Sequence, residues 1–452
     1  MKKTAFKTQV RYFKRWTRKG YAAFSSMQKV VVISTISLAC SFLAKPTGVF
    51  AQSNQDSVVT ILEEVQVMAD DPLQTETMQL MLLETAVMQC DIERSPVQAL
   101  NELLDQLPNL DIRQRGPFGI QADISYRGGN FDQTLLLLNG INFTDPQTGH
   151  YTLNLPISPD IIQRIELYKN TTAFLFGTAP FSGLLNIITR CDTTPHFDFH
   201  FMGGMYGLYR VNADMNVRTG KFSHLVSMEY GHADGYMENT DFNTVNAYYQ
   251  TIGRFKAGIL ELQAGFSDKK YGANGFYSLK FPNQYESTQT FLASVKWKGG
   301  EKVKWIPSIY YRFNKDCFEL VKGQSPTKNN WHFNQIFGLN ILSYFDSKIG
   351  RTSLSGDVRV EDVVSTSLGN LLDEPIPTKV PNVQYLYGRT RTNFGLSASQ
   401  SFVLGGFTGD LTLLLQHFTD IRNKYYLLPA VHLGYRFRPQ SSQGNYLMET
   451  IY

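Results

Sequence analysis

His196 and His200 are four residues apart, a spacing that on a helix would stack two imidazoles on one face and offer them to a metal. Here they alternate with Phe197, Phe199 and Phe201. That two-residue period belongs to a strand, on which the two histidines stand ~13 Å apart, so no metal site is assigned. The cysteines offer as little. Cys90, Cys191 and Cys317 are widely spaced and odd in number, which fits neither a disulfide framework nor a CxxC metal pattern; they read as isolated small hydrophobes. No HExxH, GxSxG or phosphate-loop GK[ST] pattern occurs, so the sequence predicts no enzyme and no cofactor.

The charge balance separates a leader from the rest. The chain carries 43 basic and 39 acidic residues, net +4. Ten of the basic residues (Lys2, Lys3, Lys7, Arg11, Lys14, Arg15, Arg18, Lys19, Lys29 and Lys45) precede position 52, whereas the first acid is Asp56; without those ten the remainder carries −6. Nucleic-acid binding therefore loses its support. The leader reads as a secretory signal over residues 1–51: a positive stretch, an apolar run from Val30 to Ala44, and Val49-Phe50-Ala51 with small residues at a cleavage site. The run, about 15 residues and diluted by Ser34, Thr35, Ser37 and Ser41, is short of the roughly 20 that span a bilayer. Met27 followed by Lys29 would start a signal of ordinary length, and Ser37 stands where a lipoprotein box before Cys40 needs a large aliphatic residue.

Residues 52–75 are polar and then extended, with Val58, Val59, Ile61, Leu62, Val65 and Val67 among acids. A small mixed α/β domain is expected over 76–190. Ser95 caps and Pro96 opens a predicted helix whose Val97, Leu100, Leu103, Leu104 and Leu107 keep helical spacing until Pro108. Ile124 to Arg127 and Thr134 to Leu138 read as strands, the second ending in Asn139-Gly140, a turn pair that favours positive φ. Ile161 to Tyr168 and Leu184 to Thr189 close the domain.

Beyond Arg190 the period is two. Leu260, Leu262, Ala264 and Phe266 alternate with Glu261, Gln263, Gly265 and Ser267; Phe291, Ala293, Val295 and Trp297 with Leu292, Ser294, Lys296 and Lys298. Val303, Trp305, Pro307, Ile309, Tyr311 and Phe313 oppose Lys304, Ser308, Arg312 and Asn314, and Leu354, Val358 and Val360 oppose Ser353, Ser355, Asp357, Arg359 and Glu361. One face is apolar with aromatics near the ends, the other polar, at the ~10-residue length of a tilted bilayer-crossing strand. A soluble sandwich would bury the second face and make it apolar; the signal, the 24 Tyr and 31 Phe, and the polar inner face favour a transmembrane barrel. A dozen to fourteen strands are counted from His196 to Tyr452, joined by polar segments such as Ala233 to Asn243 and Gly369 to Val383 that would be extracellular loops.

Four ordered stretches carry a family resemblance. Asp123-Ile-Ser-Tyr-Arg127-Gly128-Gly129, Thr134 to Ile141, Asp160 to Leu167, and Phe176-Gly177 with Ser182-Gly183 through Arg190 resemble the plug of TonB-dependent outer-membrane receptors, nearest the cobalamin and siderophore branch. Asn139 stands where that family has Asp, and Asn170 where it has Gly. Upstream, Leu62-Glu63-Glu64-Val65-Gln66-Val67 is similar to the family's TonB box, an extended strand that adds to a partner's sheet edge through its backbone.

The resemblance implies a transmembrane antiparallel β-barrel of 22 strands with the mixed α/β plug in its lumen, in the outer membrane of a Gram-negative cell. It also implies energy-coupled uptake of a scarce nutrient, cobalamin or a ferric siderophore, by plug displacement through TonB, with outer-membrane lipid around it and no covalent chemistry. Loops Gln114 to Gly119 and Asp145 to Tyr151 would point outward, making Arg115, Phe118, Gln147, His150 and Tyr151 the candidate substrate contacts. Arg127, Arg164 and Glu166 are expected to fix plug to barrel wall, and Gly128, Asn139, Gly140, Gly177 and Gly183 to shape the plug.

Residues 191–452 supply too few strands for a closed family-type barrel, and Met448 and Thr450 make a poor last strand although Tyr452 is aromatic. An open edge in lipid leaves backbone groups unsatisfied, so a C-terminally truncated receptor is expected. A non-functional receptor fragment and a passive porin are the alternatives.

Overall fold

The computed structural model describes residues 83–435 apart from 169–172, 178–179, 181, 192–193, 405 and 422–424. The leader, the TonB-box stretch Leu62 to Val67, Asn170 and the segment from Met448 to Tyr452 lie outside the described residues.

The first part is a five-stranded sheet, with a separate hairpin. β1 (Leu83–Met88) leads through α1 (Gln89–Arg94) and α2 (Leu100–Leu104) to the hairpin of β2 (Leu110–Gln114) and β3 (Ala122–Tyr126). There follow β4 (Thr134–Leu138), β5 (Ile141–Asn142), β6 (Ile162–Tyr168) and β7 (Gly183–Thr189). The sheet order is β1-β6-β7-β4-β5, with β4 and β7 parallel and the other pairs antiparallel. β4 is buried at every position, as its unbroken Leu135 to Leu138 run requires of a strand covered on both faces.

The helix starts later than its sequence signals suggest. Ser95 ends α1, its hydroxyl donates to Gln106 Oε1 at 2.8 Å, and α2 begins only at Leu100, its first turn tied by Glu102 accepting from the Gln98 amide at 2.7 Å. Leu100, Leu103, Leu104 and Leu107 are buried, but Val97 precedes the helix and Leu107 follows it, so the helix expected from Ser95 to Leu107 shortens to Leu100–Leu104 and Ser95 does not cap it.

Beyond it runs an antiparallel meander: β8 (His196–Gly203), β9 (Tyr209–Thr219), β10 (Phe222–Ala233), β11 (Phe242–Phe255), β12 (Gly258–Gly272), β13 (Tyr285–Gly299), β14 (Val303–Glu319), β15 (Asn330–Ser347) and β16 (Gly350–Ser365). It continues through β17 (Asn370–Pro377), β18 (Gln384–Leu404), β19 (Phe407–Phe418) and β20 (Tyr425–Tyr435). Each long strand pairs with the next in sequence, except that β16 pairs with β18 and β17 folds back on β18. The stretch Gly369 to Val383, expected as a plain loop, is therefore largely a strand. Among the described residues the 13-stranded sheet is open, with β8 and β20 at its edges.

Side-chain parity follows the expected alternation. On β13, Glu286, Thr288, Thr290, Leu292 and Ser294 are buried on the inner face while Val295 is exposed on the outer. The outer surface also exposes Trp305, Ile309, Phe337, Ile341 and Leu354. The polar inner face is buried because the small domain packs against it, so its side chains find protein partners rather than open water. Among the described residues no helix is long and apolar enough to cross a membrane.

Candidate functional site

The β2–β3 hairpin ends in an apex whose backbone turns through the left-handed region three times, at Gly116 (φ 94°), Phe118 (φ 53°) and Gly119 (φ 74°). Glycine adopts these angles freely; at Gly116 a Cβ would also stand 2.9 Å from the Phe276 ring. The apex thus fits closely beneath the loop joining β12 to β13.

Arg115 holds that fit. Its Nη2 and Nε donate to Asp123 Oδ2 at 2.9 and 3.2 Å, its Nη1 donates to the Phe276 carbonyl, and its guanidinium lies 5.3 Å from the Tyr277 ring centre. His150 Nδ1 meets the other Asp123 oxygen. Burial works to raise the Asp123 carboxyl, but hydrogen bonds and charge from His150 and Arg115 outweigh it and hold it below its ordinary value of 3.8. Tyr277 accepts from Gln121 Nε2 at 2.8 Å and donates to Glu286 Oε1 at 2.6 Å; burial, ahead of the nearby Glu286 charge, pushes its phenol upward. Against this network opens a cleft of about 430 Å³, lined by Arg113, Arg115, Ile120, Tyr236, Met237 and Phe276 among others. Two guanidiniums beside aromatic and thioether surface suit a ligand with both anionic and apolar parts.

Of the five residues proposed from sequence for substrate contact, the cleft takes Arg115. Phe118 packs on Phe242 with ring centres 5.9 Å apart, and His150 leans on Phe131 at 4.6 Å. Gln147 accepts from Asn334 at 3.0 Å, while Tyr151 is buried and gives its carbonyl to Arg312 at 3.3 Å. The last two lie in the seam between small domain and sheet. Arg113, Tyr236, Met237 and Phe276 were not singled out, since three of the four come from sheet loops whose approach to the apex no local pattern encodes.

The seam itself is polar and charged. Arg312 on β14, 1% exposed, pairs with Asp145, 0% exposed, at 2.6 Å. Lys269 on β12 donates to the Gly119 and Ile120 carbonyls at 2.6 and 3.3 Å and to Asn154 at 3.1 Å. Arg359 on β16 donates to the carbonyls of Asn142 and Thr144 at 3.0 and 2.6 Å, and Lys296 on β13 to that of Asn139 at 2.6 Å. Apolar contact supplements them: Leu225, Tyr248, Leu292, Tyr310 and Ile336 of the sheet belong to the same buried cluster as Leu136, Ile165 and Ile187.

For the charges expected to fix the small domain to the wall, the structure gives contacts inside the domain. Arg164 donates to Glu166 at 2.6 Å, and Glu166 also accepts from Tyr168 and Asn186 at 3.0 and 2.9 Å, binding β6 to β7 within the domain. Arg127, exposed at φ 52°, lies over Tyr126 at 5.4 Å, and Gly128 follows at φ 74°. Asn139 (φ 52°) and Gly140 (φ 75°) make the β4–β5 turn. The Asn139 side chain also reaches Thr189, Tyr248 and Gln263 at 2.9, 3.0 and 2.9 Å. Gly177 (φ 70°) abuts the sheet, where a Cβ would come within 2.3 Å of Asp357, and at Gly183 a Cβ would meet Tyr126 at 2.4 Å.

Residues 83–184 match the model of the TonB-dependent Receptor Plug Domain. Residues 83–184 thus carry a TonB-dependent receptor plug domain, and the chain is similar to receptors of that family. Among solved structures of this fold, the unliganded ferric citrate transporter FecA superposes with a TM-score of 0.61 at 12% identity, over 78% of this chain and 60% of that one. The siderophore receptor PirA from Pseudomonas aeruginosa gives 0.59 at 13% identity, over 78% and 59%. The vitamin B12 transporter BtuB of Vibrio vulnificus is 26% identical over 290 residues, 61% of this chain and 40% of its own length. The chain thus spans less than two thirds of the receptors it matches. The five-stranded domain is the plug, and the meander is barrel wall.

Proposed function

We propose that the receptor containing this chain takes up a scarce nutrient across the outer membrane of a Gram-negative cell, drawing energy from TonB. The observation that carries this reading is the cleft roofed by two sheet loops and floored by the plug apex, continuous through Arg115, Asp123 and His150 with the rest of the plug. A ligand seated on Arg113 and Arg115 competes for the same guanidinium that grips Asp123 and Phe276, so occupancy is felt by the hairpin and not by the surface alone. The relatives named for vitamin B12, siderophores and ferric citrate support a cobalamin or ferric-chelate cargo, with the plug moving and no bond of the cargo broken.

Transmission to the inner side falls to the stretch Leu62 to Val67, read as the TonB box; residues 52–75 would be its periplasmic segment after a signal over 1–51. Binding of cobalamin, haem and ferric siderophores to the purified receptor separates the cargo classes, and Arg115→Ala is expected to weaken the one that binds at least tenfold. Val65→Pro removes a backbone donor from the box. It should abolish energised uptake with binding intact, and unchanged uptake would take the box out of the account.

A further inference from the structure

The short turns at one end of the meander bring together charges that neither cleft nor seam uses. Residues 218–222, 254–258 and 298–304 join β9 to β10, β11 to β12 and β13 to β14, and they hold Arg218, Lys221, Arg254, Lys256, Lys298, Lys302 and Lys304 against the single acid Glu301. At the opposite ends of the neighbouring strands, loops 234–241, 273–284 and 320–329 carry Asp234, Glu238 and Asp241 against Lys280, Lys322 and Lys328. The positive excess belongs to one rim only.

Pairing makes these turns neighbours in space. The Arg254 amide donates to the Lys221 carbonyl at 2.9 Å, Phe222 pairs with Gly253, and Gly258 pairs with Gly299. Directly beside the cations lies an aromatic strip on the outer face. Phe222 and Phe255 are edge to face at 5.7 Å, Phe255 and Trp297 are 6.2 Å apart, and Lys221 Nζ stands 6.0 Å from the Phe255 ring centre. His224 extends the strip, stacked between Phe222 and Tyr249 with its ring nitrogens on Thr219 and Tyr249 at 2.6 and 2.9 Å. Trp305, 52% exposed, flanks it on β14. Lys221, Lys256 and Lys302 are exposed in the turns.

Cations level with the turns and flat aromatics one residue toward the mid-sheet match a lipid phosphate and the start of its acyl chains. We propose that this rim, given the barrel reading, binds the headgroup of an anionic phospholipid. Lys221, Lys256 and Lys302 surround the phosphate, and Phe222, Phe255 and Trp297 carry the glycerol and upper chain. A protein partner is disfavoured because the aromatic strip lies on the face that the same reading gives to hydrocarbon. A free phosphate ion would leave that strip without a role.

The tryptophans report on the site. Replacing Trp16 and Trp331 by phenylalanine leaves Trp297 and Trp305, both on this rim. The full chain is then reconstituted in phosphatidylcholine vesicles containing either brominated phosphatidylglycerol or brominated phosphatidylcholine at equal mole fraction. Stronger quenching by the brominated phosphatidylglycerol is expected, equivalent to at least roughly fivefold local enrichment. It should fall to parity in Lys221→Gln/Lys256→Gln/Lys302→Gln and persist with excess inorganic phosphate. Equal quenching in the parent, a preference that survives the triple change, or its removal by inorganic phosphate would each overturn the proposal. Absence of quenching by either lipid would show that these tryptophans do not face acyl chains, and the barrel reading would fall with it.

Discussion

Arg312 and Asp145 are the most fully buried ion pair described, and the arithmetic of such pairs is asymmetric. Removing one partner leaves the other charged without compensation, at about 3–5 kcal/mol, whereas removing both is far milder. Arg312→Met is therefore expected to destabilise the plug in detergent by about that amount on urea unfolding. Arg312→Met/Asp145→Asn should recover most of the loss, because the amide still accepts from the Gln147 and Thr148 backbone, where Asp145 Oδ1 now accepts at 2.8 and 3.1 Å. Asp123 gives a pH signature instead. Its folded carboxyl lies below its ordinary 3.8, so ionisation favours the folded state. That stability is present in full above the unfolded value and is lost as pH falls through the folded one. Plug stability should decline below about pH 4, and Asp123→Asn should shrink that acid limb while lowering stability at neutral pH. An acid limb of unchanged depth in the variant would remove Asp123 from the account.

At the level of elements, the legible part was whatever a period could express. Strand parity on β12, β13, β14 and β16 was read from alternation, and Thr134 to Leu138 with its Asn139-Gly140 turn from composition, because these depend on neighbours two to four residues away. The seam was illegible for the opposite reason. Arg312 and Asp145 are separated by 167 residues and Lys269 and Gly119 by 150, and an inward arginine on an alternating strand looks like lumen lining until the plug stands opposite it. The misplaced helix start shows a third case: Ser95-Pro96 is a valid opening signal, yet the chain there serves as the end of α1, and the local signal loses to the connection. The turn signal admits a direct test. Gly140 sits at φ 75° beside Asn139 at φ 52°, and a β-branched residue is strained there by about 1–3 kcal/mol. Gly140→Val should lower the urea midpoint accordingly and Gly140→Asn much less. Equal effects would mean that space, not backbone angle, governs the position; a Cβ there meets only Lys296 Nζ, at 4.0 Å.

Taken whole, the molecule joins two parts whose bonding differs in kind. Strands of the wall are tied by continuous backbone ladders, whereas the plug meets the wall through side-chain hydrogen bonds and ion pairs around three apolar patches. Each such hydrogen bond is worth a net ~0.5–1.5 kcal/mol, since water can replace the partner. A ladder facing lipid has no such substitute. The plug is therefore expected to loosen before the wall, as a mechanism of plug displacement needs. Two built-in probes separate the events. Residues 83–190 contain no tryptophan, while Trp297, Trp305 and Trp331 lie on the wall. Cys191 is buried at the end of the plug with its thiol on the Ser223 carbonyl at 3.4 Å. In a Cys40→Ser/Cys90→Ser/Cys317→Ser background, urea should expose Cys191 to thiol reagent at concentrations that leave tryptophan emission unchanged, and Arg359→Ala, which strips two carbonyl contacts from the plug, should widen the gap between the two midpoints. Coincident transitions in the parent and the variant would mean that plug and wall unfold as one cooperative body, and the proposed displacement of the plug would then require the wall to yield as well.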